Sequence, residues 1–263
     1  MAFNTAAIMG AGVMGEAMIV SLLRSGLKAD AILIREKRAE RLAELIDRYG
    51  VSTGSLADCD LVIVAVKPQD VDATLTELAK EISEKTLVIS LLAGIKSAKF
   101  EEGLKPDTRV VRVMPNTPLL LGQGASAVAR GKHATDSDIE WVISLLNNSG
   151  VAIEVSEDLM DAVTATSGSG PAYVFRFVEA MLAAAIELGL GEVEAALLVK
   201  ETLIGAAKMI AESGKDVATL RQNVTSPNGT TAAALASFND SDIDGIVLRA
   251  MRAARDRSIE LSN

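Results

Sequence analysis

Ala6-Ala7-Ile8-Met9-Gly10-Ala11-Gly12-Val13-Met14-Gly15 decides how the rest of the chain reads. A short apolar run enters a G-x-G-x-x-G turn, and the helical spacing of Ala17, Met18, Val20, Ser21 and Leu22 follows it. That order is strand, tight turn, helix. The three glycines differ in what they allow. Gly10 permits the turn, Gly12 lets the backbone approach a pyrophosphate, and Gly15 allows close packing of helix on strand. The pyrophosphate would then rest on the helix N-terminus, where unpaired N–H groups and the positive end of the macrodipole meet it. A second apolar run, Ala31-Ile32-Leu33-Ile34, follows at βαβ distance, so the motif reads as a dinucleotide site rather than a structural glycine turn.

The end of the second strand selects between cofactors. Here it reads Arg35-Glu36-Lys37-Arg38. Arg35 takes the place about twenty residues past the glycines where an arginine accommodates the extra phosphate of NADP. Guanidinium forks suit phosphate oxygens, so NADP(H) is favoured. Glu36 could accept from a free ribose 2′-hydroxyl or face solvent, and NAD(H) stands as the alternative.

Downstream, residues 61–66 and 87–92 are short, β-branched runs that read as buried parallel strands. Lys67-Pro68-Gln69 follows the first, with Pro68 placed to open a helix whose spacing continues through Val71, Leu75 and Leu78. Ligands of open α/β sheets bind at the carboxyl ends of such strands, so the backbones of 65–68 and 91–93 should border the cofactor. Further strands are expected at 110–113, 125–128 and 151–155, with a helix at 136–146. Their alternation defines an α/β, doubly wound, mostly parallel sheet. Beyond residue 157 only Ala- and Leu-rich helical patterns remain, at 171–188, 193–211, 216–223, 231–238 and 241–261. We expect a dinucleotide-binding domain at 1–155 and an all-α domain at 156–263. The helices of the second half carry little charge, which suggests burial on several sides, as in an interwound dimer.

Composition excludes several classes. A net charge of −9 makes nucleic acid an improbable partner. The single cysteine, Cys59, excludes an intramolecular disulfide, suggests a reducing compartment, and has no histidine near it in sequence. One histidine, His133, leaves no material for a multi-histidine metal centre, and no metal site is expected. Although 49% of residues are hydrophobic, no apolar stretch reaches the roughly 20 residues of a membrane helix, and no secretory signal is evident.

The other stretch that carries chemistry is Thr225-Ser226-Pro227-Asn228-Gly229-Thr230-Thr231, which runs into the helical Ala232-Ala233-Ala234-Leu235. Turn formers and small hydroxyls at a helix start make a seat for a carboxylate, through the amides of Gly229, Thr230 and Thr231 and the nearby hydroxyls. The same residues also suit a well-capped turn with no ligand.

Five segments taken in order resemble pyrroline-5-carboxylate reductases: GAGVMG at 10–15, AVKPQ at 65–69, RVMPNTP at 112–118, SGSGPAY at 167–173 and NVTSPNGTT at 223–231. Together they span nearly the whole chain, and the last is the family's own signature. The resemblance implies NAD(P)H-dependent reduction of 1-pyrroline-5-carboxylate to L-proline in the cytoplasm. It also implies a Rossmann domain, a helical dimerisation domain, and dimers that assemble further into decamers. Carried over by position, cofactor contacts fall on Met9, Gly10, Ala11, Gly12, Val13, Met14 and Gly15, on Arg35 and Glu36, and on Ser55. Ala65, Val66, Lys67, Pro68, Leu91, Leu92, Ala93 and Asn223 complete the set. Ser226, Gly229, Thr230 and Thr231 would hold the substrate carboxylate, and the Thr231 hydroxyl would reach the ring nitrogen. Two departures stand out: Asn228 replaces a common glycine, and Leu91-Leu92 replaces smaller residues. Asparagine tolerates left-handed backbone angles.

Reduction of a cyclic imine asks little of side chains beyond alignment and tolerance of a cation, so no His or Lys general acid is expected, with water as proton source. An NADP-linked β-hydroxyacid dehydrogenase would need a lysine after the Gly168-Ser169-Gly170 segment, where this chain has Val174. A catalytically silent NADP-binding regulator is the other alternative.

Overall fold

The structure, a computed structural model, describes residues 3–261. The ends of the two expected domains, 1–2 and 262–263, lie outside the described residues. The chain opens as β1 (Ala6–Met9), α1 (Val13–Arg24), β2 (Ile32–Arg35), α2 (Ala39–Tyr49), β3 (Leu61–Val64), α3 (Val71–Glu81) and β4 (Leu87–Ser90). It continues as α4 (Ser97–Gly103), β5 (Arg109–Met114), β6 (Gly124–Arg130), α5 (Asp136–Asn147) and β7 (Gly150–Glu154). The seven strands form one sheet in the order β2-β1-β3-β4-β5-β6-β7. All neighbours are parallel except β5 and β6, which are antiparallel.

Why these runs are strands follows from their burial. β1, β3 and β4 are buried at every residue, as strands covered on both faces must be. Alternate residues supply two cores: Ile8, Ile63 and Ile89 on one face with Met18, Ile19 and Leu22 of α1, and Val62, Val64 and Val88 on the other with Leu75 and Leu78 of α3 and Phe100 of α4. β2 is displaced by one residue from the expected 31–34. Ala31 ends a short 3-10 turn, and Arg35 joins the strand because it pairs with Met9. Across α1 and α2 a half-hidden ionic cluster adds to the packing: Glu16 accepts from Arg41, from Arg48 Nη1 at 2.7 Å and from the Tyr49 hydroxyl at 2.8 Å.

After β7 come α6 (Met160–Val163), a π-helical stretch at Thr164–Gly168, α7 (Gly170–Glu187), α8 (Glu192–Glu212), α9 (Val217–Asn223), α10 (Thr230–Asp240) and α11 (Ile243–Glu260). By its internal contacts the chain divides into one unit of residues 1–171 with 253–263 and a second of 172–252, which differs from the expected boundary at 155/156. The reason is specific. Glu157 accepts from Ser97 N at 2.7 Å, from Ser97 Oγ at 2.6 Å and from Arg112 Nη1 at 3.4 Å. Met160 packs on Ala127 and Ala129, and Asn116 Nδ2 donates to Ser167 O at 3.1 Å. These bonds hold residues 157–168 to the first unit, and Ser258 Oγ, donating to Asp161 Oδ1 at 2.7 Å, ties the end of α11 there too.

The second unit has almost no interior of its own. Among residues 172–252 only Ala195, Val199 and Leu220 are buried, while Phe175, Leu188, Val193, Leu198 and Ile210 are more than half exposed. Exposed apolar surface on that scale marks an association surface. No helix among the described residues is long and apolar enough to cross a membrane.

Candidate active site

The strand order reverses between β1 and β3, and the carboxyl ends of those strands meet there. Ala65 N donates to Met9 O and Leu91 N to Val64 O, each at 2.9 Å or less, so Met9, Ala65 and Leu91 stand in a row along the sheet edge. Gly10 sits in this row with φ +86°, and a Cβ on it would lie 2.9 Å from Ala65 O and from Val66 N. At Gly15 a Cβ would lie 2.2 Å from Gly10 O, and over Gly12 nothing lies within 4 Å. The turn is therefore closed where helix meets strand and open on the side a ligand would approach. Gly12 caps α1 without a side-chain bond. Among the described residues nothing accepts from the N–H groups of Val13, Met14 and Gly15. Three free amides at a helix start, beneath open space, fit the diphosphate of a dinucleotide.

The remaining expected cofactor residues divide. Ala65, Val66 and Pro68 are half-buried along the rim, and Lys67 is exposed beside them. Leu91 and Leu92 are buried in the two cores on opposite faces of the sheet, so only their backbones can border a ligand, while Ala93 is half-buried. Ser55 is exposed, its hydroxyl accepting from Ala57 N at 3.2 Å. Asn223 is the exposed last residue of α9 in the second unit.

Arg35 does not stand free for a phosphate, contrary to expectation. Its guanidinium pairs with Glu77, with Glu81 at 2.6 and 2.8 Å, and with Gly54 O at 3.2 Å, which binds the end of β2 to α3. Those carboxylates hold its pKa above the ordinary arginine value, the Glu81 hydrogen bond leading. Glu36 instead reaches the glycine turn: its Oε2 accepts from Ala11 N at 3.1 Å, and Oε1 accepts from Arg38 N and Nε, both at 3.0 Å. The Arg38 bond, against the cost of burial, brings the Glu36 carboxyl down to about 2. Glu36 is thus a fixed anion at the mouth of the turn, and Arg38, outside the expected set, is its exposed counter-ion. Nothing in the sequence separates Arg35 from Arg38, because the distinction lies in the distant Glu77 and Glu81.

In the second unit, Asn228 has φ +59°, the left-handed angle its short polar side chain tolerates. Gly229 caps α10 with no side-chain bond. The Gly229 amide, expected to meet the substrate carboxylate, instead donates to Ser226 O at 3.1 Å and closes the turn. The amides of Thr230, Thr231 and Ala232 have no acceptor among the described residues, and no described bond engages the hydroxyls of Ser226, Thr230 or Thr231. Several donors left over at one helix start suit a carboxylate.

Cys59 is buried, which pushes its thiol pKa up and makes it a packing residue rather than a nucleophile. Among the described residues no group of three or more His, Cys, Asp or Glu is arranged to hold a metal ion.

A doubly wound sheet with an open glycine turn at its switch point is the architecture of nicotinamide-nucleotide oxidoreductases. Comparison with known proteins narrows the class. Residues 157–261 match the family model described as pyrroline-5-carboxylate reductase dimerisation, and residues 5–94 match that of NADP oxidoreductase, coenzyme F420-dependent. A pyrroline-5-carboxylate reductase of Corynebacterium melassecola is 39% identical over 98% of both chains. Among solved structures, a pyrroline-5-carboxylate reductase from Coxiella burnetii is 34% identical with a TM-score of 0.90, covering 99% of both chains. A Plasmodium falciparum pyrroline carboxylate reductase with NADP bound is 29% identical with a TM-score of 0.87, covering 99% of this chain and 98% of the other. The chain belongs to the pyrroline-5-carboxylate reductase family.

Proposed function

We propose that the chain reduces the C=N bond of 1-pyrroline-5-carboxylate to give L-proline, the last step of proline biosynthesis, as a cytoplasmic homo-oligomer built from dimers that assemble into decamers. The observation that carries the reading is the pair of anion seats at helix starts: free amides of Val13, Met14 and Gly15 for a diphosphate, and of Thr230 and Thr231 for a small carboxylate. NADP(H), with NAD(H) as the alternative, supplies the hydride when bound.

The chain's own residues bind and orient. Met9, Gly10, Ala11, Gly12, Val13, Met14 and Gly15 cradle the diphosphate, while Ala65, Val66, Lys67, Pro68 and the backbones of 91–93 form the rim around the nicotinamide. Ser55 and Asn223 are further cofactor contacts, the latter from the helical unit. The Ser226 hydroxyl and the Thr230 and Thr231 amides take the carboxylate, and the Thr231 hydroxyl aligns the ring nitrogen. A protonated imine is a better hydride acceptor, and water supplies that proton, so no histidine or lysine acid is required.

Proline-dependent reduction of NADP at alkaline pH, set against a panel of 3-hydroxyacids, tests the assignment. Turnover with proline and none with the hydroxyacids is expected; the reverse pattern would overturn it.

A further inference from the structure

At the end of β2 the structure offers two opposed groups where a dinucleotide's adenosine ribose would lie. Gly10 N donates to Arg35 O at 2.8 Å, so residues 35–38 run directly beside the glycine turn. Arg35 is the obvious phosphate ligand by sequence, yet two carboxylates already face its guanidinium. That trio carries a net negative charge, and a phosphate approaching it would meet repulsion from Glu77 and Glu81.

Glu36 is different. Its side chain is 8% exposed and its Oε2 is anchored on Ala11 N. A carboxylate there only accepts: it can take the O–H of a free 2′-hydroxyl, but it repels a 2′-phosphate that has no proton to give. The Arg38 side chain is 64% exposed. Nε and Nη2 of Arg38 lie on Glu36 at 3.0 and 3.2 Å, and Nη1 makes no hydrogen bond among the described residues. The fork can therefore turn its free edge to a phosphate or leave Glu36 for one. Lys37, loosely paired with Asp70 at 3.6 Å, adds positive potential nearby.

We infer that Glu36 and Arg38 together decide between a ribose 2′-hydroxyl and a 2′-phosphate, with Arg35 acting as a fixed strut between β2 and α3. This deepens the proposed function and rests on the glycine turn being a dinucleotide site. In this assignment Glu36 would receive the hydroxyl of NAD(H), and Arg38 the phosphate of NADP(H).

The test is calorimetric titration of the full chain with NADPH and with NADH, no substrate present. Glu36→Gln keeps an oxygen for Ala11 N and removes the charge, so the ratio of NADPH to NADH affinity should rise about tenfold. Arg38→Gln, a surface change, should weaken NADPH about tenfold or more while leaving NADH within about twofold. Arg35→Gln should leave the ratio within about twofold, whatever it does to melting temperature. Ratios unmoved by Glu36→Gln and Arg38→Gln but collapsed by Arg35→Gln would overturn the assignment and leave the dinucleotide site standing. Failure of the unaltered chain to bind either nucleotide would remove that site, and this inference with it.

Discussion

Two residues concentrate the consequences that single substitutions can read. Thr231 stands second in α10, its hydroxyl and amide without a hydrogen-bond partner among the described residues, and the proposed role asks both to face one small ligand. Thr231→Ala should lower kcat/KM for the imine by about 10- to 100-fold, the value of one hydrogen bond to a charged group, with little change in nucleotide affinity. Unchanged steady-state constants would remove Thr231 from that role. For Glu36 the consequence is pH dependence. Its folded pKa of about 2 lies below the ordinary 4.5, so its stabilisation is complete above pH 4.5 and is lost as pH falls towards 2. Because Arg38 is open to solvent, screening holds the contribution to about 1 kcal/mol. Melting curves of the unaltered chain and Glu36→Gln should differ at pH 7 and converge below pH 4.5, whereas a gap constant down to pH 3 would contradict the assignment. At this scale the sequence was informative about residue types and silent about partners. The hydroxyls and glycines are legible, and so is the turn of Ser226-Pro227-Asn228-Gly229 whose closing bond from the Gly229 amide to Ser226 O takes that amide, whereas the pinning of Arg35 by Glu77 and Glu81 depends on contacts that no local pattern encodes.

Among the elements, the buried strands were the most legible, because runs such as Leu61–Val64 are apolar at every position and can only be covered on both faces. α2 and α4 have no counterpart among the expected elements. α2 fully buries only Leu45, with Leu42 and Tyr49 partly covered and five charged residues along the rest of it, and α4 is short and held at its start by the remote Glu157. The last turn of α11 shows the same dependence on distant partners. It packs on the loop after β4, where Gly94 has φ +75° and a Cβ would lie 2.7 Å from Leu261 Cβ and 2.8 Å from Ser258 O. Gly94→Ala should therefore destabilise the first unit by about 1–3 kcal/mol, and Ser258→Ala by about 1 kcal/mol through loss of the bond to Asp161. Thermal unfolding checks both, and a melting temperature unchanged in Gly94→Ala would mean that this contact carries no strain.

For the whole molecule, charge and apolar content indicated an assembling protein, and the exposed side chains of α7, α8 and α11 agree. The boundary read from the change of pattern near residue 156 falls beside the start of the matched dimerisation region at 157, whereas the division by contacts falls later because Glu157, Met160 and Ser258 tie their segments to the first unit, which local pattern does not report. Light scattering should give a multiple of the 27.5 kDa chain mass, with no monomer at micromolar concentration. A monodisperse monomer would contradict the reading of the helical unit as an association surface. The most direct test of the proposed reaction is the fate of a labelled hydride. With NADPH deuterated on the transferring face of its nicotinamide C4 and 1-pyrroline-5-carboxylate as acceptor, the product should be L-proline carrying one deuterium at Cδ for each NADPH oxidised. NADPH oxidation that leaves proline unlabelled, or no oxidation with this imine while a 3-hydroxyacid reduces NADP, would contradict it.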